Sequence, residues 1–393
     1  MAQEPDRSFR FDRMELGGSL GDLGTLLPLA VGMIVLNQMH ATNVLVAVGL
    51  FYILAGLYFR IPVAVQPMKV IGAYAIAAGM TPQQIVSSSL WMGALVLFLG
   101  VTGLIGVIRR YTPRSTVPGI QLAVGVVLLI QGLKLIVDQD PSLAVQRIGP
   151  VNTGLLLGMG GLVLTLFLLE SRKLPAALAL IAFGIAVGLI IGNPLDHGTF
   201  SWGFHVPGPV PYGWPGWDEF VWVVPVVVLP QLPMTIGNAI ISNTDLAHEY
   251  FREKAHRVTN RSVSISQGLA NLASFFLGGI PMCHGAGGLA AHYKFGARTG
   301  GSNLYIGGIF LVLALIFGER IVSVLRLIPL SILGVLLTFA GLQLALMIQD
   351  LRDRKDLFVA LFMLGLALAF NLAVAFVAGI AVAYAVKTPR ISV

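Results

Sequence analysis

Most of the chain consists of long apolar runs. Short polar stretches, or stretches that contain glycine and proline, separate these runs. Runs of about 20 apolar residues are typical of membrane-spanning helices. The pattern predicts fourteen spans, seven in each half: 20–36, 41–58, 62–79, 84–107, 118–137, 149–169 and 175–192, then 220–242, 262–279, 281–295, 304–318, 328–348, 357–370 and 372–386. The predicted fold class is an all-α polytopic membrane protein. The last run could also form one long tilted helix, although a hairpin near Asn371 is favoured because it keeps both basic ends on one side.

Composition leaves almost no room for a soluble part. Of 393 residues, 56% are hydrophobic and 11% are charged, whereas about 25% of the residues of a soluble protein carry charge. These values exclude a water-soluble enzyme. The predicted domains are a cytoplasmic tail (1–16), a first repeat of seven spans (17–192), an extracytoplasmic loop (193–219) and a second repeat of seven spans (220–386).

The basic residues predict an orientation. The net charge is +7, and the 25 Lys and Arg residues stand mainly in short clusters between apolar runs. Cytoplasmic loops carry such clusters, and the loop 193–219 contains no Lys or Arg. We therefore predict a multi-pass protein of the plasma (inner) membrane with both termini in the cytoplasm. The lipid bilayer, and not a nucleic acid, is the predicted partner of the basic loops.

Two motifs recur about 210 residues apart. Val117-Pro118 before an apolar run to Gly132 parallels Ile328-Pro329 before a run to Gly341, and Pro67-Met68 parallels Pro281-Met282. Because each half has an odd number of spans, the second half must lie inverted relative to the first. Inverted halves place a substrate site at their interface, near the bilayer midplane. Chance similarity between apolar sequences is the alternative.

The third and tenth spans begin irregularly. Each has a short stretch unsuited to a helix before a proline, Pro67 or Pro281, and a helix-compatible pattern after it. Proline at the first helical position is pre-set for a helix. We predict that each span is a short extended segment followed by a half-helix. Two half-helices that start near the midplane would direct free N–H groups and positive dipole ends at one point, which binds an anion.

Two titratable groups lie beside this point. Lys69 is in the first turn of the third half-helix, where a buried cation needs an anionic partner. That partner is either Asp22, in a structural ion pair, or a bound oxyanion. His284 titrates near neutrality, so His284 or Asp22 could couple transport to a proton. A neutral packing role for His284 stays open.

Neutral polar side chains complete the candidate site. Gln231, Thr235 and Asn238 are spaced so that they share nearly one helix face, and Gln66 is a further donor. Hydrogen bonding between helices is their alternative role. The single cysteine, Cys283, and the absence of metal-binding, nucleotide-binding or nucleophile motifs predict no metal, no cofactor and no enzymatic activity.

Several motifs together resemble the molybdate transporter family, which is related to the sulfate permeases. They are Gly21-Asp22-Leu23-Gly24-Thr25, Gln66-Pro67-Met68-Lys69, Pro230-Gln231-Leu232-Pro233 and Cys283-His284-Gly285-Ala286-Gly287-Gly288. The resemblance covers essentially the whole chain. It implies a seven-plus-seven inverted-repeat fold in which a core domain (spans 1–4 and 8–11) moves against a gate domain (spans 5–7 and 12–14).

The predicted function is secondary active transport of a tetrahedral oxyanion by alternating access, and molybdate is the favoured substrate. A proton symport and a homodimer formed through the gate are further expectations. The candidate substrate-binding residues are Gln66, Met68, Lys69, Gln231, Thr235, Asn238, Cys283, His284, Gly285 and Ala286, with Asp22 and His284 for coupling or ion pairing. The alternatives are a sulfate transporter, a nucleobase or aromatic-carboxylate carrier, and an anion channel of the same fold.

Overall fold

The computed structural model describes residues 9–137, 147–148, 151–169, 171, 174–191 and 203–388, and most of them are helical. The first half contains α1 (Arg13–Ser19), α2 (Leu23–Val35), α3 (Ala41–Phe59), α4 (Lys69–Ala78), α5 (Pro82–Thr102), α6 (Ile105–Tyr111), α7 (Thr116–Val137), α8 (Thr153–Leu168) and α9 (Ala176–Ile191). The second half contains α10 (Trp217–Val223), α11 (Leu229–Met234), α12 (Asn243–Phe251), α13 (Asn260–Leu277), α14 (Ala286–Lys294), α15 (Gly301–Phe317), α16 (Ile321–Leu325), α17 (Leu330–Ala345), α18 (Arg354–Ala369) and α19 (Leu372–Ala385). Four two-residue strands are β1 (Gln66–Pro67), β2 (Arg147–Ile148), β3 (Val151–Asn152) and β4 (Met282–Cys283).

Within the described residues, six helices are long and apolar enough to cross a membrane. They are Ala41–Phe59, Pro82–Thr102, Thr116–Val137, Trp217–Ala255, Gly301–Leu325 and Leu330–Asp350. The number is seven if α1 and α2, which meet at 43°, form one bent span. α4, α8, α9 and α19 are apolar but shorter. The fold is that of a mostly helical membrane protein, and fourteen crossings remain a prediction.

The longest helical segment, Trp217–Ala255, contains three prolines in its first half, Pro225, Pro230 and Pro233. Proline removes a backbone donor and crowds the carbonyl four residues earlier. Wide π turns at Val224–Val228 and Thr235–Ser242 accommodate them and join α10, α11 and α12 into one segment. The segment continues beyond the predicted end at 242, because no glycine or proline follows before residue 255.

One other predicted boundary shifts for a local reason, and the favoured break at Asn371 is present. The span predicted from 149 begins at Thr153, because β2 and β3 pair as an antiparallel hairpin in which Arg147 opposes Asn152. The last apolar run forms two helices that meet at Asn371. The Asn371 side chain accepts a hydrogen bond of 2.9 Å from the Val374 N–H and so caps α19.

The N-terminal segment is docked onto the protein from residue 9 onward. Asp12 caps α1 by accepting hydrogen bonds from the Met14 and Glu15 N–H groups, at 2.9 and 3.0 Å. The Glu15 side chain is buried and accepts hydrogen bonds from the Arg298 N–H and the Thr299 hydroxyl, both at 3.0 Å. The predicted tail 1–16 thus includes the start of a packed helix, and its residues 1–8 lie outside the described part.

Three helix pairs form the main packing contacts: α3 with α15, α5 with α13, and α7 with α17. Glycines allow the closest approach. A Cβ added at Gly132 would lie 2.6 Å from the Gly334 carbonyl oxygen, and one added at Gly125 would lie 2.6 Å from the Gly341 oxygen. Small residues at such crossings let membrane helices pack backbone to backbone.

Candidate functional site

The two irregular segments meet at the centre of the site. β1 and β4 pair antiparallel, with Gln66 opposite Cys283 and Pro67 opposite Met282. The Met68 N–H extends this pairing by donating to the Pro281 carbonyl oxygen at 2.8 Å. This hydrogen bond occupies the N–H of Met68, a predicted substrate-binding residue, so the Met68 backbone offers no free donor to an anion.

The place where the extended segments around β1 and β4 pair is the crossing. Side chains from neighbouring helices form hydrogen bonds with other backbone groups of these segments. The Asn271 amide on α13 accepts from the Met282 N–H at 2.8 Å and donates to the Met282 carbonyl at 2.7 Å. The Asn303 amide on α15 donates to the Val63 carbonyl at 2.7 Å. These residues hold an irregular backbone that is buried in the protein, where each unsatisfied polar group would cost free energy.

α4 and α14 leave the crossing in opposite directions, because the strands before them are antiparallel. Their N-terminal ends therefore flank the crossing. Within the described part, the backbone N–H groups of Lys69, Ile71, Ala286 and Gly287 have no hydrogen-bond partner. Free N–H groups and the positive end of the helix dipole make such ends favourable for an anion.

A cavity of about 440 Å³ opens in front of these helix ends. Its inner lining includes Gly24, Thr25, Lys69, Gln121, Asn238 and Gly287. Helices α7 and α17 supply the opposite wall, with Leu128, Leu336 and Phe339. The lining also includes Ser171, Lys294 and Met347, which lie at the ends of helices or in the loops after them.

Lys69 is the cation nearest the helix ends. Its side chain is half-buried and lines the cavity, and it forms no hydrogen bond or salt bridge with any described residue. Asp22 is buried and accepts hydrogen bonds from the Tyr52 hydroxyl at 3.2 Å and from the Gln66 side-chain amide. The structural Lys69–Asp22 ion pair is therefore absent from this conformation.

Gln231 supports the start of α4. Its side-chain oxygen accepts a hydrogen bond of 2.9 Å from the Val70 N–H, and its amide donates to the Thr235 hydroxyl at 2.9 Å. Gln231 and Thr235 are buried, whereas Asn238 is half-buried and lines the cavity. The three residues share one helical segment, but only Asn238 reaches the open space.

His284 lies behind the crossing and does not line the cavity. Its Nδ1 is 2.7 Å from the Ala64 carbonyl oxygen, and its Nε2 is 2.9 Å from the Ser266 hydroxyl. The rings of Phe51 and Phe59 pack on it, with centroids at 4.7 and 5.6 Å. This environment gives His284 a bracing role in the structure.

Gly285 fills a position that no larger residue fits. A Cβ there would lie 2.0 Å from the Gln66 side-chain oxygen, which is buried and has no hydrogen-bond partner. Cys283 is buried within β4, and Ala286 is the first residue of α14. Gln66, Cys283 and Gly285 therefore shape the crossing, while Ala286 contributes its N–H group.

Sequence reasoning missed several groups at the site: Gly24, Thr25, Tyr52, Gln121 and Gly287. Gln121 carried a usable signal, since it is a polar residue within the apolar run 118–137. Gly24, Thr25 and Gly287 stand in motifs already quoted, but nothing in the sequence distinguishes them from their neighbours. Tyr52 lies in an apolar run and does not differ from other aromatic residues in such runs. Only its hydrogen bond to Asp22 shows that it belongs to the site.

The fold resembles those of two solved membrane transporters. The transmembrane domain of the cyanobacterial bicarbonate transporter BicA matches it with a TM-score of 0.65 at 16% identity, over 95% of this chain and 98% of that one. Murine Solute Carrier 26 family member A9, an anion transporter in the inward-facing state, matches with a TM-score of 0.69 at 15% identity, over 96% of this chain and 69% of that one.

Sequence comparison then gives the family. The model of the family described as "Molybdate transporter of MFS superfamily" matches residues 14–128 and 224–344, more than half of the chain. Molybdate transporter 2 of Arabidopsis thaliana is 31% identical over 389 residues, 88% of this chain and 81% of that protein. Molybdate transporter 1 of Chlamydomonas reinhardtii is 31% identical over 450 residues, 88% of this chain and 86% of that protein. The chain belongs to this family of molybdate transporters and is not an enzyme, which confirms the resemblance found in the sequence.

Proposed function

We propose that the protein is a secondary active transporter that takes up molybdate by alternating access. The anion would lie between the N-terminal ends of α4 and α14, in the cavity that Lys69 lines. The observation that carries the proposal is the meeting of two unsatisfied helix ends and an unpaired cation at one cavity. The names of the Arabidopsis and Chlamydomonas relatives support molybdate as the substrate.

The charge of the site suits an anion. Each helix N-terminus carries the equivalent of about half a positive charge, and the Lys69 ammonium adds one. Together they supply about two positive charges, of which the buried Asp22 carboxyl beside Gln66 offsets at most one, so the site favours an anion. The neutral groups Asn238, Thr25 and Gln121 line the same cavity and can donate hydrogen bonds to oxyanion oxygens without adding charge.

The walls of the cavity support the division into core and gate. One wall comes from α2, α4 and α14, which the proposal assigns to the core domain, and the other from α7 and α17 of the gate domain. Relative movement of two such groups would alternately open the site to the two sides of the membrane. Fourteen crossings, a plasma-membrane location, cytoplasmic termini and a homodimer are parts of the proposal.

The open side of the cavity suggests the conformation. Lys294 lies in the lining, and the positive-inside rule assigns such basic residues to the cytoplasm. We infer that this is an inward-open state. Transport would then require a second conformation in which α7 and α17 close this side.

The test is uptake into proteoliposomes that contain the purified protein. We expect saturable molybdate uptake that Lys69→Gln abolishes, because the substitution removes the positive charge that lies at the helix ends. Lys134→Gln, an exposed lysine on α7, is the matched control and should leave uptake unchanged. Wild-type uptake in Lys69→Gln protein that inserts normally would refute the proposed role of Lys69.

The same assay separates the alternatives. Uptake of molybdate, tungstate and sulfate is titrated at two pH values, so that substrate preference and proton coupling are measured together. Inhibition by uracil or benzoate would indicate a nucleobase or aromatic-carboxylate carrier. Conductance without saturation would indicate a channel. Uptake that is independent of the pH gradient would exclude proton symport and leave the oxyanion site itself unaffected.

A further inference from the structure

A groove lies between α3 and α13 on the exterior of the protein. It takes no part in the proposed transport cycle. It encloses about 800 Å³. Most of its large lining side chains are apolar, among them Leu50, Leu54 and Tyr58 from α3, and Ile265, Leu269 and Leu277 from α13. Alanines form much of its floor, including Ala47, Ala55 and Ala270. Small residues between large ones produce a recess rather than a flat helix surface.

The groove faces the region that lipid chains occupy. Leu54, Tyr58 and Leu269 are 63%, 51% and 54% exposed, on helices that lie in or beside predicted membrane spans. Its lining residues extend along α13 from Ser262 to Leu277, a length of roughly 22 Å at 1.5 Å per residue. One leaflet of the hydrocarbon core is roughly 15 Å deep, so an acyl chain fits along the groove.

One end of the groove is polar and positively charged. Arg261, Thr259 and Ser262 line it. The Arg257 guanidinium donates a hydrogen bond of 2.9 Å to the Tyr58 carbonyl and lies 6.0 Å from the Tyr58 ring centroid. Arg261 is exposed and forms no hydrogen bond or salt bridge with the described residues. Residues 252–261 contain four Lys or Arg and one acidic residue, Glu253.

We propose that this groove is a binding site for one anionic phospholipid of the cytoplasmic leaflet. An acyl chain would lie between α3 and α13, and the headgroup phosphate would contact Arg261 and Arg257. Charge complementarity favours this occupant, because basic residues beside a membrane attract anionic lipids. A second copy of the chain would have to supply both an apolar ridge and an acidic partner for Arg261.

The floor of the groove includes residues that form hydrogen bonds with the extended segment around β4. Ser266 and Ser274 line the groove. The Ser266 hydroxyl is hydrogen-bonded to His284, and the Ser274 hydroxyl donates to the Ile280 carbonyl at 2.7 Å. A bound lipid would cover these hydrogen bonds, so anionic lipid should raise the thermal unfolding temperature of the protein.

The test is native mass spectrometry of the full chain extracted from bilayers of equal parts phosphatidylglycerol and phosphatidylcholine. We expect one phosphatidylglycerol to stay bound preferentially. Arg261→Gln should lower its retention about fivefold, since one basic residue near the surface contributes roughly that factor. Lys254→Gln removes an exposed charge from the same loop outside the groove and should have a smaller effect. Equal retention of both lipids, or equal loss in both variants, would overturn the proposal.

A second pair of variants tests the acyl-chain part. Ala273→Phe places a ring in the groove from an exposed position and should abolish both lipid retention and the thermal stabilisation by phosphatidylglycerol. Ala94→Phe, at an exposed position of α5 outside the groove, should change neither. Unchanged lipid retention in Ala273→Phe, or loss of a dimer without a change in lipid, would contradict the proposal. None of these measurements requires transport, so they stand apart from the uptake assay.

Discussion

At the scale of single residues, the site separates groups that face the cavity from groups that hold the backbone. Lys69 and Asn238 face it, whereas Gln231 sits behind the first turn of α4. Gln231 thus occupies the place where a negative charge would compete with the substrate for the helix end. A neutral amide satisfies the Val70 N–H without opposing a bound anion.

Gln231→Glu should weaken molybdate binding and also lower stability, because the new carboxylate is buried and cannot donate to the Thr235 hydroxyl. The carboxylate keeps an acceptor for the Val70 N–H but adds a negative charge near the dianion, and a repulsion of about 2 kcal/mol or more at an effective dielectric constant of 20 predicts at least a tenfold rise in KM. Gln231→Leu leaves the buried N–H unpaired, which costs about 1–3 kcal/mol. Uptake kinetics and thermal unfolding measure the two effects. An unchanged KM in Gln231→Glu would place the anion elsewhere.

At the scale of helices, the contacts follow the repeat found in the sequence. Residues about 210 apart make α3, α5 and α7 equivalent to α13, α15 and α17. If the two halves are exchanged, α3 takes the place of α13 and α15 takes the place of α5. The contact of α3 with α15 then corresponds to the contact of α13 with α5, which is also present. The contact of α7 with α17 corresponds to itself. This symmetry supports the inverted repeat, and the α7–α17 crossing would lie on its axis.

Gly132→Ala should destabilise this crossing. The added Cβ would lie 2.6 Å from the Gly334 carbonyl oxygen, and overpacking against backbone costs about 1–3 kcal/mol. Gly160→Ala on α8 has no atom within 4 Å of the new Cβ and should be neutral or stabilising by up to about 1 kcal/mol. Thermal unfolding in detergent compares the two variants. Equal stability in both would show that the crossing is not tightly packed.

At the scale of the whole molecule, one cavity is lined both by the first turns of α4 and α14 and by Lys294 at the end of α14. The proposed inward-open state would expose the site to one side only. The single cysteine, Cys283, is buried, so its replacement by alanine gives a background for labelling introduced cysteines. Ala340 on α17 lines the cavity and is half-buried.

In this background, Ala340→Cys should react with a membrane-impermeant thiol reagent faster from the cytoplasmic side, and molybdate should slow the reaction. Inside-out and right-side-out vesicles give the two rates. Val312→Cys, at an exposed position outside the cavity, should show no protection by molybdate. Equal rates from both sides, or no protection at position 340, would contradict the inward-open cavity.

Local chemistry made much of the fold predictable. Apolar runs of membrane length and the Asn371 break each act through neighbouring residues, which a sequence displays directly. The expected helix starts at Pro67 and Pro281 were wrong, because strand pairing extends past both prolines and α4 and α14 begin only at Lys69 and Ala286. The boundaries that were wrong depended on pairing or on the lack of a breaker, as at the β2–β3 hairpin and the long segment to Ala255.

The sequence by itself determined that this is a helical membrane protein of the molybdate transporter family, with Lys69 beside an irregular helix start. Only the tertiary structure decided which polar groups share a cavity. In the structure, His284 lies behind the crossing and the Met68 N–H is hydrogen-bonded to the Pro281 carbonyl oxygen. Gln121 and Gly287 line the cavity. The physical reason is that β1 and β4 lie more than 200 residues apart. Their pairing sets how each helix is rotated, and no local pattern records that rotation.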